Sequence, residues 1–267
     1  GRAVAGMRYW DGQFEDARLA LALAQTAQRA GARVHNHTRV TALSPTPNGW
    51  QVRLLDERLG TSRTVQARCV VNAAGVWVDE LRRMALPPET GAPPLQALVT
   101  ASQGVHLVVT RACLPLREAV LIPHTADGRV LFAVPWLGKL ILGTTDTPRD
   151  DIPLEPRPLA QEVDFILKES ANYLQKAPTV QDVRSIWVGL RPLVRPAAES
   201  AAGQTQSISR EHSITVSANG LLTVTGGKWT TYRAMAEDVL ERCFVDRLLP
   251  RRAGGLSANH SLLGAGV

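Results

Sequence analysis

The stretch Gly226–Arg233 carries two glycines, a lysine and two threonines where a predicted strand gives way to a predicted helix. The first backbone N–H groups of a helix have no partner within it, and the helix dipole makes that end positive. Lys228 adds a mobile positive charge, and Thr230 and Thr231 add hydroxyl donors. The segment therefore suits an anionic group such as a phosphate. It fits equally a tight glycine turn followed by a threonine helix cap, and physical grounds alone favour that structural interpretation.

His106 lies in a predicted apolar strand, between Val105 and Leu107. The basic residues are mostly arginines, Arg191 and Arg210 among them, and arginine in general suits two-point binding of a phosphate or carboxylate. Structural alternatives stay open: a histidine satisfied within a core, an arginine paired with a buried acid, or a surface charge beside Glu211.

Neither the histidines nor the cysteines form a metal-binding pattern. His35 and His37 alternate on one predicted strand, but no third ligand stands beside them, so no metal site is expected. The cysteines have no CxxC spacing, which argues against a zinc site or a disulfide framework and fits a reducing compartment. They are Cys69, Cys113 and Cys243.

Periodicity predicts the elements that must position these residues. In the first part of the chain we expect an amphipathic helix over 15–30, and a buried strand over Cys69–Gly75 that feeds a helix over 76–84. A strand ending in Ala-Ala-Gly lets a backbone or a ligand approach closely. Short strands are expected between these elements, at 33–37, 39–43, 50–54 and 65–67.

Beyond the Pro/Gly-rich segment 87–94 the pattern becomes antiparallel. A helix is expected over 160–174, and a last helix after Gly226-Gly227. Strands are expected at 104–110, 119–123, 130–136, 139–144, 183–188, 207–209, 213–216 and 221–225. This organisation predicts an α+β protein with an α/β portion. The GxGxxG fingerprint of a dinucleotide-binding βαβ unit occurs nowhere in the sequence.

Composition narrows the class of protein. The 267 residues are 45% hydrophobic and 20% charged, as expected for a globular chain of one large domain or two modest ones. The net charge is +6, carried almost entirely by scattered arginines, so nucleic-acid binding is not expected. No apolar run is long enough to span a bilayer, and the first residues do not resemble a signal peptide. We expect a soluble or at most membrane-associated protein.

The stretch Gly226–Arg233, followed by Met235-Ala236-Glu237, resembles the GGKxTTYRxxAE signature of FAD-dependent glycerol-3-phosphate dehydrogenases. Further segments resemble that family in the same order between about residues 9 and 248. They are Asp16–Leu19 (DARL), Asn72–Trp77 (VNAxGxW), Gly104–Val109 (GxHxVV), Pro135-Trp136 (PW), Gly143–Asp146 (GTTD), Gly189–Leu193 (GxRPL) and Ser209–Glu211 ([TS]R[DE]). The sequence departs from the family in having neither its N-terminal GxGxxG unit nor its helical C-terminal extension.

The resemblance implies an FAD/NAD(P)-binding fold of the glutathione-reductase/D-amino-acid-oxidase-like type with an antiparallel-sheet substrate domain. Residues 1–90 would be the remainder of the FAD-binding domain, and 91–218 the mainly antiparallel substrate-binding domain. The chain would return to the FAD-binding domain at 219–249, and 250–267 would be a loose tail.

The resemblance also implies roles for individual residues. His106 would be the general base, and Lys228 would stabilise negative charge near the flavin and the substrate. Arg191 and Arg210 would hold the substrate phosphate. The residues that would bind the cofactor are Val40 through its backbone, Ala73, Ala74, Gly75, Gly227, Lys228 and Thr230.

The implied reaction is oxidation of sn-glycerol 3-phosphate to dihydroxyacetone phosphate, with electrons passed through FAD to a quinone. The implied setting is the cytoplasm, at the inner face of the cell membrane, with a homodimer among the expected assemblies. Two alternatives stay open: a related FAD-dependent amine or amino-acid oxidase, and a truncated chain without flavin or activity.

Overall fold

The computed structural model describes residues 6–87, 95–195 and 211–265. Arg210 and the predicted strand 207–209 lie outside the described residues. The helices are α1 (Asp16–Arg29), α2 (Val78–Met84), α3 (Ala160–Ala171) and α4 (Tyr232–Val245). The strands are β1 (Thr38–Thr46), β2 (Gly49–Asp56), β3 (Thr61–Ala67), β4 (Val71–Asn72), β5 (Val99–Thr110), β6 (Val120–Ile122), β7 (Leu131–Trp136), β8 (Lys139–Gly143), β9 (Thr147–Arg149), β10 (Val183–Val194), β11 (His212–Val216) and β12 (Leu222–Gly226).

The largest sheet is antiparallel and has six strands in the order β10-β5-β8-β7-β6, with β9 paired to β5. Alternate residues of β5 point to opposite faces of this sheet. Val105, Leu107 and Val109 are fully buried on one face, where they pack with Leu142 and with Ile166 of α3. The face covered by α3 is therefore the core of this part of the chain, and the even-numbered residues of β5 lie on the other face.

Two smaller sheets complete the fold. Strands β1-β2-β3 form an antiparallel meander whose core includes Leu43 and Trp50, with Ala85 after α2. Strands β11-β12-β4 form the third sheet, in which β12 pairs parallel to β4. Its buried Leu222 packs against Val239 of α4. Helices combined with antiparallel and parallel strands confirm the predicted α+β class.

Two predicted strands are absent from the structure or much shorter there than predicted. Residues 33–37 are irregular, and the chain turns with positive φ at Gly31 and at His37 (94° and 49°), so this segment does not extend into a ladder. The predicted buried strand Cys69–Gly75 contains only the two-residue β4, and Val71 is 42% exposed. Only Val71 and Asn72 of the predicted strand pair with a neighbour, and β4 lies at the edge of its sheet in the described part of the chain.

The helices are short. The longest described ones, α1 and α4, have 14 residues each, which corresponds to about 21 Å, whereas the hydrocarbon core of a bilayer is about 30 Å thick. Within the described ranges no helix combines the length and apolar character needed to cross a membrane.

Cys69 and Cys243 meet between the entry to β4 and helix α4, with their Sγ atoms 3.9 Å apart. Both are free thiols. Burial, followed by the charge and hydrogen bond of Cys243, raises the pKa of Cys69 to about 11. A thiol reacts with alkylating agents as its thiolate, so burial, together with the contact with Cys243, protects Cys69 at neutral pH.

We therefore expect iodoacetamide to modify Cys69 slowly at pH 8, where roughly one thiol in a thousand is ionised. The rate should rise about tenfold per pH unit up to pH 10. Peptide mapping by mass spectrometry measures it. In Cys243→Ser, which removes the neighbouring ionisable thiol, Cys69 should react faster at pH 8. Reaction of native Cys69 at the rate of a free cysteine peptide would contradict the raised pKa.

Candidate active site

His106 and Arg191 lie on the same face of the six-stranded sheet, opposite α3. In the antiparallel pairing of β5 with β10, His106 is opposite Trp187 and Arg191 is opposite Ser102. Cross-strand partners share a face, as do alternate residues of one strand. The register therefore brings two predicted site residues together although they are far apart in sequence.

Two glycines make room for these side chains. A Cβ atom at Gly104 would lie 2.3 Å from Nη2 of Arg191, and one at Gly143 would lie 2.4 Å from Cδ2 of His106. Real Cβ atoms essentially never come so close to another heavy atom, so a side chain at either position would displace its neighbour. Sequence reasoning included both glycines in family segments but did not find this role, because it depends on which residues are cross-strand neighbours.

The loop that follows β8 holds the guanidinium of Arg191. Nη1 donates to the carbonyl oxygen of Thr145 over 3.1 Å, and Nη2 donates to Oγ1 of Thr144 over 3.0 Å. Asp146 contributes an ion pair at 3.9 Å, and it accepts a hydrogen bond from Ser102. The Arg191 side chain is still 28% exposed. It is thus a cation fixed in direction at the surface of the sheet, which suits recognition of an anion.

The surroundings of His106 keep its imidazole neutral. Burial lowers the pKa of His106 below its ordinary value of 6.5, and the positive charge of Arg191 lowers it further. The carboxylate of Asp16, at the start of α1, acts in the opposite direction. A neutral imidazole beside a cation can accept a proton at neutral pH, as a general base requires.

The predicted cofactor residues cluster at the ends of β4 and β12. These strands are parallel, with Thr223 opposite Asn72, so their carboxyl ends point to the same edge of the sheet, β12 running three residues further. Asn72 joins them, since its Nδ2 donates to the Val78 carbonyl over 2.9 Å and to Thr223 Oγ1 over 3.4 Å. Ala73, Ala74 and Gly75 follow β4, and Gly227 and Lys228 follow β12. Ligands of open α/β sheets bind outside such strand ends.

The stretch after β12 is held in place by contacts within the chain. Gly227 adopts φ of 78°, and a Cβ there would lie 2.4 Å from Sδ of Met235. Lys228 and Thr230 are exposed. A single 3-10 turn precedes α4, and Thr231 donates its hydroxyl to the Lys228 carbonyl over 3.0 Å, so it does not form the predicted side-chain helix cap.

These strand ends lie next to the sheet that carries His106 and Arg191. The 3-10 turn Gly75–Trp77 packs against β5 and β10. From the other side, a Cβ at Gly226 would lie 2.7 Å from Cγ2 of Val194 in β10. The structure therefore joins the segments that carry Ala73, Ala74, Gly75, Gly227 and Lys228 to the sheet that carries His106 and Arg191.

Val40 lies elsewhere. It belongs to β1 of the three-stranded meander and packs, partly buried, against the core around Trp50. A register shift interrupts the β1–β2 ladder directly after it. Its predicted backbone contact with a cofactor stays a prediction, as does the role of Arg210.

The environment of His106 predicts its titration. By NMR the His106 pKa should lie below 6.5. Arg191→Gln should raise it, because a neighbouring positive charge disfavours protonation. Asp16→Asn should lower it further, because a neighbouring carboxylate favours protonation. A pKa that is unchanged in both variants would show that neither charge acts on His106.

Comparison with known proteins places the chain in a family. A model of the family described as FAD dependent oxidoreductase matches residues 1–233. The probable mitochondrial glycerol-3-phosphate dehydrogenase of Caenorhabditis elegans is 42% identical over 238 residues, which cover 88% of this chain and 32% of that protein. The mitochondrial glycerol-3-phosphate dehydrogenase of Homo sapiens is 40% identical over 248 residues, covering 90% of this chain and 33% of that protein.

A solved structure from the same family has a similar fold. The crystal structure of glycerol-3-phosphate dehydrogenase from Bacillus halodurans, complexed with FAD, matches with a TM-score of 0.73 and 34% identity, covering 89% of this chain and 44% of that one. This likeness confirms the predicted flavoprotein fold. The chain spans about a third of the length of the curated relatives it matches. By its sequence and its fold, the chain belongs to the FAD-dependent oxidoreductase family.

Proposed function

We propose that this chain supplies the substrate-binding part of an FAD-dependent glycerol-3-phosphate dehydrogenase, which oxidises sn-glycerol 3-phosphate to dihydroxyacetone phosphate. The observation that carries the proposal is the pairing of a fixed arginine with a neutral histidine on one face of the sheet, beside the strand ends. Relatives about 40% identical in sequence are named for this activity.

The two side chains match two groups of the substrate, its phosphate and its C2 hydroxyl. Arg191 binds the phosphate through charge-assisted hydrogen bonds, and its loop contacts hold it in one direction. His106 accepts the proton of the C2 hydroxyl, since its lowered pKa leaves the imidazole neutral. FAD held at the strand ends would supply the acceptor for the hydride of that carbon. Arg210 is proposed as a second phosphate ligand on the family resemblance alone.

The residues at the strand ends fit FAD. Ala73 and Ala74 present little side-chain bulk, and a Cβ at Gly75 would meet no described atom within 4 Å, so a flat ring system can approach the backbone there. Lys228 offers an exposed positive charge near the same edge, suited to the negative charge that a flavin gains on reduction. Gly227, Thr230 and the backbone of Val40 complete the proposed set.

The proposal extends to the setting of the enzyme. Electrons would pass to a quinone in a membrane that the protein contacts peripherally at its inner face, and the net charge of +6 favours contact with anionic lipid. The curated relatives are named as mitochondrial proteins. A homodimer is part of the same proposal.

Replacing Arg191 tests the phosphate site. In the FAD-loaded holoenzyme, Arg191→Ala should raise KM for glycerol 3-phosphate about 10- to 100-fold. Charge-assisted hydrogen bonds to one phosphate contribute a binding free energy that corresponds to such a change. Steady-state kinetics measure the change. An unaltered KM would remove the assignment. Faster oxidation of glycine or sarcosine than of glycerol 3-phosphate would support the amine-oxidase alternative.

A matched pair of glycines provides the control. Gly104→Ala should raise KM about tenfold, since its Cβ displaces the flexible end of Arg191 and leaves the backbone in place. Gly189 lies directly across the ladder, where a Cβ meets nothing within 4 Å. Gly189→Ala should therefore leave KM within about twofold. If both variants raise KM equally, the substitutions act by disturbing the β5–β10 ladder and not by displacing Arg191.

Replacing His106 separates catalysis from flavin binding. His106→Gln in the holoenzyme should lower kcat by about 10²- to 10⁴-fold, as expected for loss of a general base. The visible absorbance of bound FAD should stay unchanged, because the proposed FAD ligands lie at the strand ends. Loss of the flavin spectrum with kcat per bound flavin preserved would make His106 structural. A native protein that retains no FAD would support the alternative of an inactive chain.

A further inference from the structure

Glu162 is a buried carboxylate that the proposed chemistry does not use. It lies near the start of α3 and is only 3% exposed. Its Oε2 accepts hydrogen bonds from Nε2 of Gln103 over 2.6 Å and from the backbone N–H of Leu159 over 2.9 Å. Its Oε1 accepts from the hydroxyls of Thr145 over 3.1 Å and Thr147 over 2.6 Å. Four donors from three segments saturate the acceptor positions of a carboxylate.

Thr145 connects this carboxylate to the site. Its side chain is 1% exposed, and its Oγ1 donates to Glu162 while accepting from the backbone N–H of Val105 over 3.0 Å. The carbonyl oxygen of the same residue accepts from Nη1 of Arg191. One buried residue is therefore anchored by its hydroxyl on one side and orients the guanidinium by its carbonyl on the other.

The position of that carbonyl matters because an arginine is a long side chain with several rotatable bonds. Its planar fork gives a strong two-point contact only when its direction matches the ligand. Displacement of a ligand-orienting group by about 1 Å is enough to weaken such a contact severely. A hydroxyl fixed between β5 and a saturated carboxylate is a rigid support for the loop.

We propose that Thr145 and Glu162 are positioning residues that set the direction of Arg191 toward an anionic substrate, a phosphate monoester in the function proposed above. The inference rests on that function for the role of Arg191. It adds that Thr145 and Glu162, which support Arg191 from beneath, determine the affinity of Arg191 for the anion. The positioning chain comprises Glu162, Thr145 and Arg191.

Substitutions at Thr145 test the chain. In the holoenzyme, Thr145→Val removes the hydroxyl and keeps the volume and the carbonyl, and it should raise KM for glycerol 3-phosphate about five- to tenfold with kcat changed less than twofold. Thr145→Ser restores the hydroxyl and should restore KM. Calorimetric titration with glycerol 3-phosphate should show the same loss of affinity, and thermal unfolding reports whether each variant folds.

Thr147→Val is the matched control. Thr147 donates to the same oxygen of Glu162, but it does so from β9, whereas Arg191 is held by Thr144 and Thr145. The KM of the Thr147→Val variant should stay within about twofold of the native KM. If Thr147→Val and Thr145→Val raise KM equally, Glu162 is a structural support of the whole loop, and the positioning role is overturned.

A double-mutant cycle separates this inference from the proposed function. If Thr145 acts through Arg191, Thr145→Val should raise KM no further in an Arg191→Ala background. Full additivity would overturn the positioning role while leaving Arg191 as the phosphate ligand. An Arg191→Ala holoenzyme with native KM would instead overturn the proposed function and, with it, this inference. Should Thr145→Val fail to fold, Glu162→Gln takes its place, with KM expected to rise because an amide must present a donor where the carboxylate accepts.

Discussion

The antiparallel pairing of β5 with β10 is the constraint on which the rest of the site depends. Its register places Arg191 opposite Ser102 and His106 opposite Trp187, so a cation and an imidazole share one face. The opposite face of β5 is fully buried under α3. A slip of one residue would exchange the two faces. Burial of Val105, Leu107 and Val109 thus selects the register that places His106 and Arg191 on the other face.

Electrostatics and sterics act together on this face. The absence of a side chain at Gly104 lets the guanidinium lie over β5, close enough to influence the titration of His106. The same cation is neutralised in part by Asp146 and directed by the Thr145 carbonyl. Closeness to a cation and burial both favour the neutral imidazole. The guanidinium that the loop holds in one direction is therefore also the charge that lowers the pKa of His106.

The parallel pairing of β4 with β12 has a comparable effect at the strand ends. Their carboxyl ends point to the same edge of the sheet although the two strands are far apart in sequence. The contact of the Gly75–Trp77 turn with β5 and β10 then joins this edge to the large sheet. The proposed cofactor edge and the proposed substrate face thus belong to sheets that contact each other, as the proposed hydride transfer would require.

Local pattern alone predicted most of the elements: apolar periodicity gave the helices and the antiparallel strands, and the ordered motifs carried the likeness to a flavoenzyme family. Hydrophobic spacing depends on residues a few positions apart, so it can be seen in one sequence. The prediction of a strand at 33–37 was wrong because strand propensity does not guarantee a pairing partner. Val71 of β4 is exposed, although a fully buried strand was predicted, because composition does not show how many strands lie beside it. Only the tertiary structure decided why Gly104 and Gly143 must lack side chains, and that Glu162 lies buried beneath Arg191. Those facts depend on contacts between distant segments, which arise from strand register and packing.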